Sequence, residues 1–272
     1  MSNFYTSLNG LKNAETDLGV IAHNIANAET TGFKKSSTQF ADIMTNGSAA
    51  DPRLSIGIGA TVSSIDQNFS LGSLEQTGRS LDLALDGDGF FATRNAESNE
   101  TTFTRNGNIQ INSAGNLTDA SGNRLQVFET DTAGNVISTA ATIDGVVPIT
   151  NAAGADLAGV TVQKNGVVFA SYADGTSDAI GRVAVANFTS PNGLKSIGQT
   201  KWEATGLSGA PNFNLPGIGN AGQLFSGALE RSNVDLAEEM VSLITAQRNF
   251  QANAKAIDTA TQISQTIINL RT

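Results

Sequence analysis

Two stretches at opposite ends of the chain repeat apolar residues at helical spacing, and the stretch between them does not. Near the start, Phe4, Leu8, Leu11, Leu18, Ile21 and Ile25 recur at intervals of three, four and seven. Near the end, Leu236, Met240, Leu243, Phe250, Ala254 and Ile257 do the same, and Ile263, Ile267 and Leu270 continue the pattern. An apolar stripe this narrow on an otherwise polar helix is a coiled-coil seam rather than the broad face of a globular core. Neither helix can bury its stripe alone. Their partners must be each other, or further copies of the same chain.

The rest of the chain reads as β-structure. Leu81, Leu83 and Leu85 alternate with Asp82 and Ala84, and Asp86-Gly87-Asp88-Gly89 turns the chain into Phe90-Phe91. Short apolar runs and turn signals then follow one another: Ala114-Gly115-Asn116, Ser121-Gly122-Asn123, Asn165-Gly166 and Asp174-Gly175 punctuate segments at Phe103–Arg105, Leu125/Val127, Val160–Val162, Val167–Phe169 and Ile180–Phe188. Short strands at this pitch predict an all-β barrel or sandwich. The expected organisation is mainly β with paired terminal α-helices. Residues 1–33 and 232–272 form a coiled-coil-like inner domain, 34–76 an extended connector of low periodicity, and 77–231 a β-rich outer domain with little or no further insertion. At the helix boundaries, Gly32 is placed to close the first helix with a left-handed residue, Phe33 packs back on its last turn, and Lys34 and Lys35 favour its negative end. Ser232 and Asp235 are spaced as a capping box for the second.

Composition narrows the function. The 272 residues include 16 Lys and Arg against 25 Asp and Glu, a net charge of −9, with no cysteine. An acidic chain lacks the basic footprint that nucleic acid or an anionic membrane demands. Without cysteine there are no disulfides, thiol chemistry or thiolate metal sites. No apolar run approaches the ~20 residues of a membrane-spanning helix, and the periodic N-terminus is not the h-region of a cleaved signal.

Catalytic patterns are weak. The single histidine, His23, lies inside the first predicted helix, where helix-face packing is the simpler role than a triad. Gly217-Ile218-Gly219-Asn220-Ala221-Gly222 matches a dinucleotide fingerprint in letters only, because Pro211 and Pro216 precede it and no helix pattern follows. Asp82, Asp86 and Asp88 lack the closing bidentate Glu of a calcium loop. Trp202 is expected to pack within the β-region. Neither a cofactor nor a metal is expected.

The termini carry a resemblance. Asn24-Ile25-Ala26-Asn27-Ala28-Glu29-Thr30-Thr31-Gly32-Phe33-Lys34 resembles the N-terminal signature of the bacterial flagellar rod and hook axial proteins. Ser232-Asn233-Val234-Asp235-Leu236-Ala237-Glu238-Glu239-Met240, continuing through Ala246–Asn253, resembles their C-terminal signature. Thr77–Leu85, Gly89-Phe90-Phe91 and Phe103-Thr104-Arg105-Asn106-Gly107 are similar to the same family. Within it, Tyr172-Ala173-Asp174-Gly175-Thr176, Gly181–Phe188, Pro191-Asn192-Gly193-Leu194 and the ending Ile267–Arg271 lean to a hook subunit. The short stretch 128–160 leans to a distal rod subunit. The expectation is hook, with distal rod as the alternative and a secreted β-rich adhesin as the reading of another class.

The resemblance implies a hollow helical homopolymer, curved as a universal joint in the hook, that transmits torque and encloses an export channel. It also implies rod, hook-cap and hook–filament junction proteins and the export apparatus as partners, and a place outside the cell reached without a cleaved signal. Assembly would fall to Phe4, Leu8, Leu11, Leu18, Ile21, Asn24, Ile25, Asn27, Gly32 and Phe33 at one end, and to Leu236, Met240, Leu243, Phe250, Ile257 and Ile267 at the other. Gln251, Gln262, Gln265 and Asn269 would line the channel, since a wet lumen with few charges lets unfolded cargo slide. In a free monomer both helices are expected to be largely unfolded.

Overall fold

A computed structural model describes residues 2–44 and 57–269, without the side chains of residues 2, 3, 267 and 268. The chain divides into two compact units. The first holds residues 1–28, 35–68 and 234–272, and the second residues 29–34 and 69–233.

The first unit is two helices and a hairpin. Helix α1 runs Ser2–Ala26 and helix α2 runs Leu236–Asn269. The segment read as a connector is instead paired: strand Ser36–Met44 runs antiparallel to Gly57–Gln67, with Ser36 opposite Gln67, Phe40 opposite Val62 and Met44 opposite Gly57. Two register shifts interrupt this ladder, after Gln39 and after Ile43, which is why no clean alternation is visible in the sequence. The hairpin is long for two strands on their own, and it lies along α1. Asn13 Nδ2 donates to the Ala60 carbonyl at 2.8 Å, and a Cβ on Gly59 would stand 3.6 Å from Asn9 and 3.7 Å from Thr6.

The second unit is built on a thirteen-stranded antiparallel sheet. Its main path runs from the edge strand Leu157–Val162 through Val167–Tyr172, Ser177–Val183, Arg124–Phe128, Phe90–Arg94, Thr101–Thr104 and Lys201–Glu203 to the opposite edge, Lys195–Gly198. Among the described residues this path does not close, so the β-rich unit is not a closed barrel. Strands of two to seven residues with shifts at Leu157/Gly159, Val168/Phe169 and Ser196/Gly198 break the continuous ladder that closure requires.

Strand alternation gives the sheet two apolar layers. Phe91 and Val185 enter one cluster with Leu83, Leu85, Leu117, Leu125 and Leu224. Their chain neighbours Phe90 and Ala186 enter another with Phe103, Leu194 and Trp202. Successive side chains on a strand point to opposite faces, so Phe90-Phe91 feeds both. In the second layer the Trp202 ring stands edge-on to Phe69 and Phe90, with centroids 5.6 Å apart in each case.

The strands are joined by one recurring device. In Asn112–Asn116, Asp119–Asn123, Asp131–Asn135 and Asn151–Ala155, the first side-chain Oδ1 accepts from the amides two and four residues on, at 2.8–3.0 Å. The fourth position is glycine at φ between 81° and 86°, the left-handed site of a three-residue hairpin loop.

Candidate assembly surface

The helices of the first unit run antiparallel. Gly10 approaches α2 so closely that a Cβ there would lie 2.6 Å from Asn253 Oδ1, and Asn24 Nδ2 donates to Glu239 Oε2 at 3.1 Å. On α1, Leu11, Ala14, Leu18, Ile21 and Ile25 alternate steps of three and four. Ala14 and Ile21 are buried, and Leu8, Leu11, Leu18 and Ile25 are half-buried. On α2 Glu239, Leu243, Ala246, Phe250, Asn253, Ile257 and Ala260 are turned from solvent, again in steps of three and four, with Ser242 and Ala254 half-buried beside them. This is a heptad seam. Its large positions, Leu243, Phe250 and Ile257, recur every seven residues, and the intervening ones are small or polar.

Leu236 and Met240 depart from the expected stripe. They are 44% and 51% exposed, and with Val241 at 66% and Ile244 at 50% they form an outward apolar patch. At about 100° per residue, Met240 and Ile244 stand about 120° from the seam, whose intervening positions went unread because Glu239, Ala246 and Asn253 are not large apolar residues. Phe4 is 38% exposed. The side chain of Ile267 and all of Leu270 lie outside the described residues.

Gln251, Gln262, Gln265 and Asn269 are all exposed. By the same rotation they share one face of α2, within about 60°, and that face continues the Met240/Ile244 line. It also carries Arg248, Lys255 and Asp258, each exposed. The face is therefore polar and wetted, with charges of both signs.

The capping residues differ from those read in the sequence. The N-cap of α2 is Asp235, whose Oδ1 accepts from Ala237 N at 2.8 Å and Glu238 N at 3.2 Å, and not Ser232. A carboxylate aimed at the open amides of a first turn satisfies them and suits the helix dipole. Gly32 is left-handed, at φ 69°, but α1 has ended six residues earlier. Its amide donates to the Glu230 carbonyl at 2.8 Å, and a Cβ would lie 2.7 Å from Asn106 N. Gly32 thus serves a close backbone approach and not a helix cap, with buried Phe33 beside it. Lys34 and Lys35 pair with carboxylates instead of a helix end: Lys34 with Glu230, and Lys35 with Glu239 at 2.8 Å. Partial burial pulls the Lys35 ammonium pKa down, but its hydrogen bonds to Glu239 and Glu238 and their charges together hold it above its ordinary value.

Asn24, 1% exposed, knits the unit together. It donates to the Ser36 carbonyl at 2.8 Å, accepts from Ser36 N at 3.0 Å and reaches Glu239. A buried amide satisfied on both its atoms fixes the start of the hairpin against the helix pair. Asn27 is half-buried, and its Nδ2 donates to the His23 carbonyl at 2.9 Å. His23 itself is exposed on α1.

No chemical centre emerges around these residues. Among those described, no three His, Asp or Glu side chains converge as a metal ion requires. The chain instead folds as a β-rich unit and a second unit in which the two terminal helices pair with each other. Three family profiles match in succession. "Flagella basal body rod protein" covers residues 4–34, "Flagellar hook protein FlgE/F/G D1 domain" residues 84–170, and "Flagellar basal body rod FlgEFG protein C-terminal" residues 226–270. The flagellar basal-body rod protein FlgG of Bacillus subtilis is 34% identical over 282 residues, spanning 100% of this chain and 99% of that protein. A rod protein of the same name from Buchnera aphidicola is 31% identical, over 98% and 99%. The flagellar hook protein FlgE of Escherichia coli is 26% identical over 409 residues, 98% of this chain and 100% of that one. The chain belongs to the flagellar rod and hook axial protein family and is a structural protein of the bacterial flagellum.

Proposed function

We propose that the chain is a distal-rod subunit, polymerising with its own copies into a straight hollow drive shaft. The observation that carries this is length. The alignment with the Bacillus subtilis rod protein needs 282 positions for two nearly complete chains, whereas that with the hook protein needs 409 although this chain has 272 residues. The hook relative therefore contains material with no counterpart here, in keeping with the short stretch 128–160.

The hook reading, a curved universal joint, is favoured by Tyr172-Ala173-Asp174-Gly175-Thr176 and Pro191-Asn192-Gly193-Leu194, and it stands as the second reading. In either case the partners are copies of this chain and the adjoining axial proteins: rod below, hook-cap or hook–filament junction proteins above. The subunit travels through the flagellar export apparatus, and it performs no catalysis. The outward patch of α2 at Leu236, Met240, Val241 and Ile244 fits burial against a neighbouring copy, and the Gln251–Asn269 face fits the channel wall.

Polymerising the purified chain with salt or seeds and imaging it by electron microscopy tests the proposal. Straight tubes are expected. Curved tubes would transfer the assignment to hook, and a chain that stays monomeric under all seeding conditions would remove both.

A further inference from the structure

Every passage of the chain between its two units, at residues 28/29, 34/35, 68/69 and 233/234, ends in one small region of the β-rich unit. There the segments 29–34, 70–76 and 228–233 lie together. Strand Ala228–Glu230 pairs with Leu74–Gln76, Gly32 N donates to the Glu230 carbonyl at 2.8 Å, and Arg231 N donates to the Ser73 carbonyl at 2.9 Å. None of these residues belongs to either apolar core cluster.

Charge holds the region together. Glu230, whose side chain is fully buried, receives the Lys34 ammonium at 2.5 Å and the Gly72 amide at 3.0 Å on Oε1, and Arg105 Nη1 at 3.3 Å on Oε2. Lys34 also donates to the Ser70 carbonyl at 2.7 Å. At the rim, Arg231 pairs with Glu29 and, at 3.6 Å, with Glu75, while Asn233 Nδ2 donates to Ser70 Oγ at 3.1 Å. Burial lowers the Arg105 pKa against the pull of the Glu230 and Asp88 charges, and the guanidinium lies 5.3 Å from the centre of the Phe90 ring. Burial lowers the Lys34 pKa against the pull of Glu230. A buried carboxylate with two cations and an amide is firmly held while all partners are present, but it stabilises little against a well-packed apolar equivalent.

We propose that Glu230 is the latch of a detachable neck, so that segments 29–34, 70–76 and 228–233 release together while the sheet stays folded. The neck joins the sheet through Arg105 and backbone contacts and carries only two buried apolar side chains of its own, Phe33 and Ala228. Removing the carboxylate leaves two buried cations facing each other, and the low-cost escape for them is local opening to water. Opening of this kind parts the three segments from one another and gives their ion pairs and mutual backbone bonds to water, without unravelling the thirteen-stranded sheet.

Hydrogen exchange on the full chain tests this. In Glu230→Gln, the amides of Gly32, Gly72 and Arg231 are expected to exchange at least tenfold faster. Those of Leu83, Leu117 and Val183, bonded within the sheet region, should keep their rates. Lys34→Gln should produce a smaller acceleration at the same three sites. Neck and sheet amides accelerating by one common factor, unchanged neck amides, or a Glu230→Gln chain that fails to fold would each overturn the latch, since each makes Glu230 part of one global unit or irrelevant to opening.

Discussion

The two units are held in different ways. In the β-rich unit Phe91, Leu85, Leu125, Phe128, Ile109 and Leu224 are completely shielded from water, and a pair of apolar layers encloses the central strands. In the helical unit only Ala14, Ile21 and Ala246 are buried apolar side chains among the described residues, and the larger members of the seam are half-exposed. Burial at roughly 25 cal/mol per Å² therefore accumulates in one unit and hardly begins in the other. A unit with a closed core folds on its own account. A helix pair with a half-wet seam and an outward patch gains most of its stability when something covers it. The difference suits a subunit whose body must be complete before assembly and whose ends are completed by assembly.

Truncating the enclosed core should have the largest effect. Phe91→Ala removes a ring that is 0% exposed and is expected to cost about 3–5 kcal/mol in denaturant unfolding. A loss under about 1 kcal/mol would mean that the β-rich unit is as loosely packed as the helical one, and the contrast would disappear. Next comes a backbone approach in the same unit. Gly107 lies under the Leu83 carbonyl, where an added Cβ would stand 1.7 Å from the oxygen. Gly107→Ala must displace that strand and should cost on the order of 1–3 kcal/mol, as overpacking does.

A smaller effect is expected in the helical unit. Asp235→Ala removes the acceptor for two amides of the first turn of α2, worth about 1 kcal/mol. It should appear as fraying of residues 236–240 by hydrogen exchange, with the sheet amides unaffected. Asp235→Asn, which keeps an acceptor, should restore most of the protection.

Smaller still is a pH effect on the β-rich unit. The Asp144 carboxyl is partly desolvated, which raises its pKa. Hydrogen bonds from Gln126 and Arg124 and the nearby Arg94 and Arg124 charges outweigh this and hold it below the ordinary 3.8. A carboxylate whose folded pKa is depressed contributes stability above its unfolded value and loses it as pH falls through the folded one. Acid titration from about pH 5 downward should therefore weaken the unit, and Asp144→Asn should flatten that part of the curve. An identical acid response in the variant would show that Asp144 is not responsible.

What was legible in the sequence follows the same division. The terminal helices were visible because Leu11, Leu18, Phe250 and Ile257 mark a period, and the β-region because Phe90-Phe91 and the Gly-Asn turns punctuate it. The large positions of the α2 seam, Leu243, Phe250 and Ile257, are legible in the sequence, but Glu239, Ala246 and Asn253 between them are not, because no hydrophobic count registers them, and exposed Leu236 and Met240 take their place in the stripe. The hairpin of Ser36–Met44 and Gly57–Gln67 was read as a connector because its stabilising contacts are polar and non-local, such as Asn13 to Ala60 and Asn24 to Ser36. The neck was invisible for a related reason: Lys34, Arg105 and Glu230 are separated by 71 and 125 positions, and a spacing rule does not see a pair that only the fold creates.

The smallest effect on folding should come from the feature most exposed in the helical unit. Met240 and Ile244, 51% and 50% exposed, lie one turn apart on a face that touches little in the single chain. Replacing both with Gln removes apolar surface that is already in water, so the unfolding of the isolated chain should shift by no more than about 0.5 kcal/mol. Polymerisation is the contrasting readout. If a neighbouring copy covers this face, the double variant loses there the burial that drives association, and seeded tube growth should slow or stop while the monomer unfolds as before. Tubes that grow at the wild-type rate would take the patch out of the subunit contacts. A monomer that unfolds several kcal/mol more easily would show that the face is already covered within its own chain, and the division between a self-sufficient body and partner-dependent ends would fail at its most exposed point.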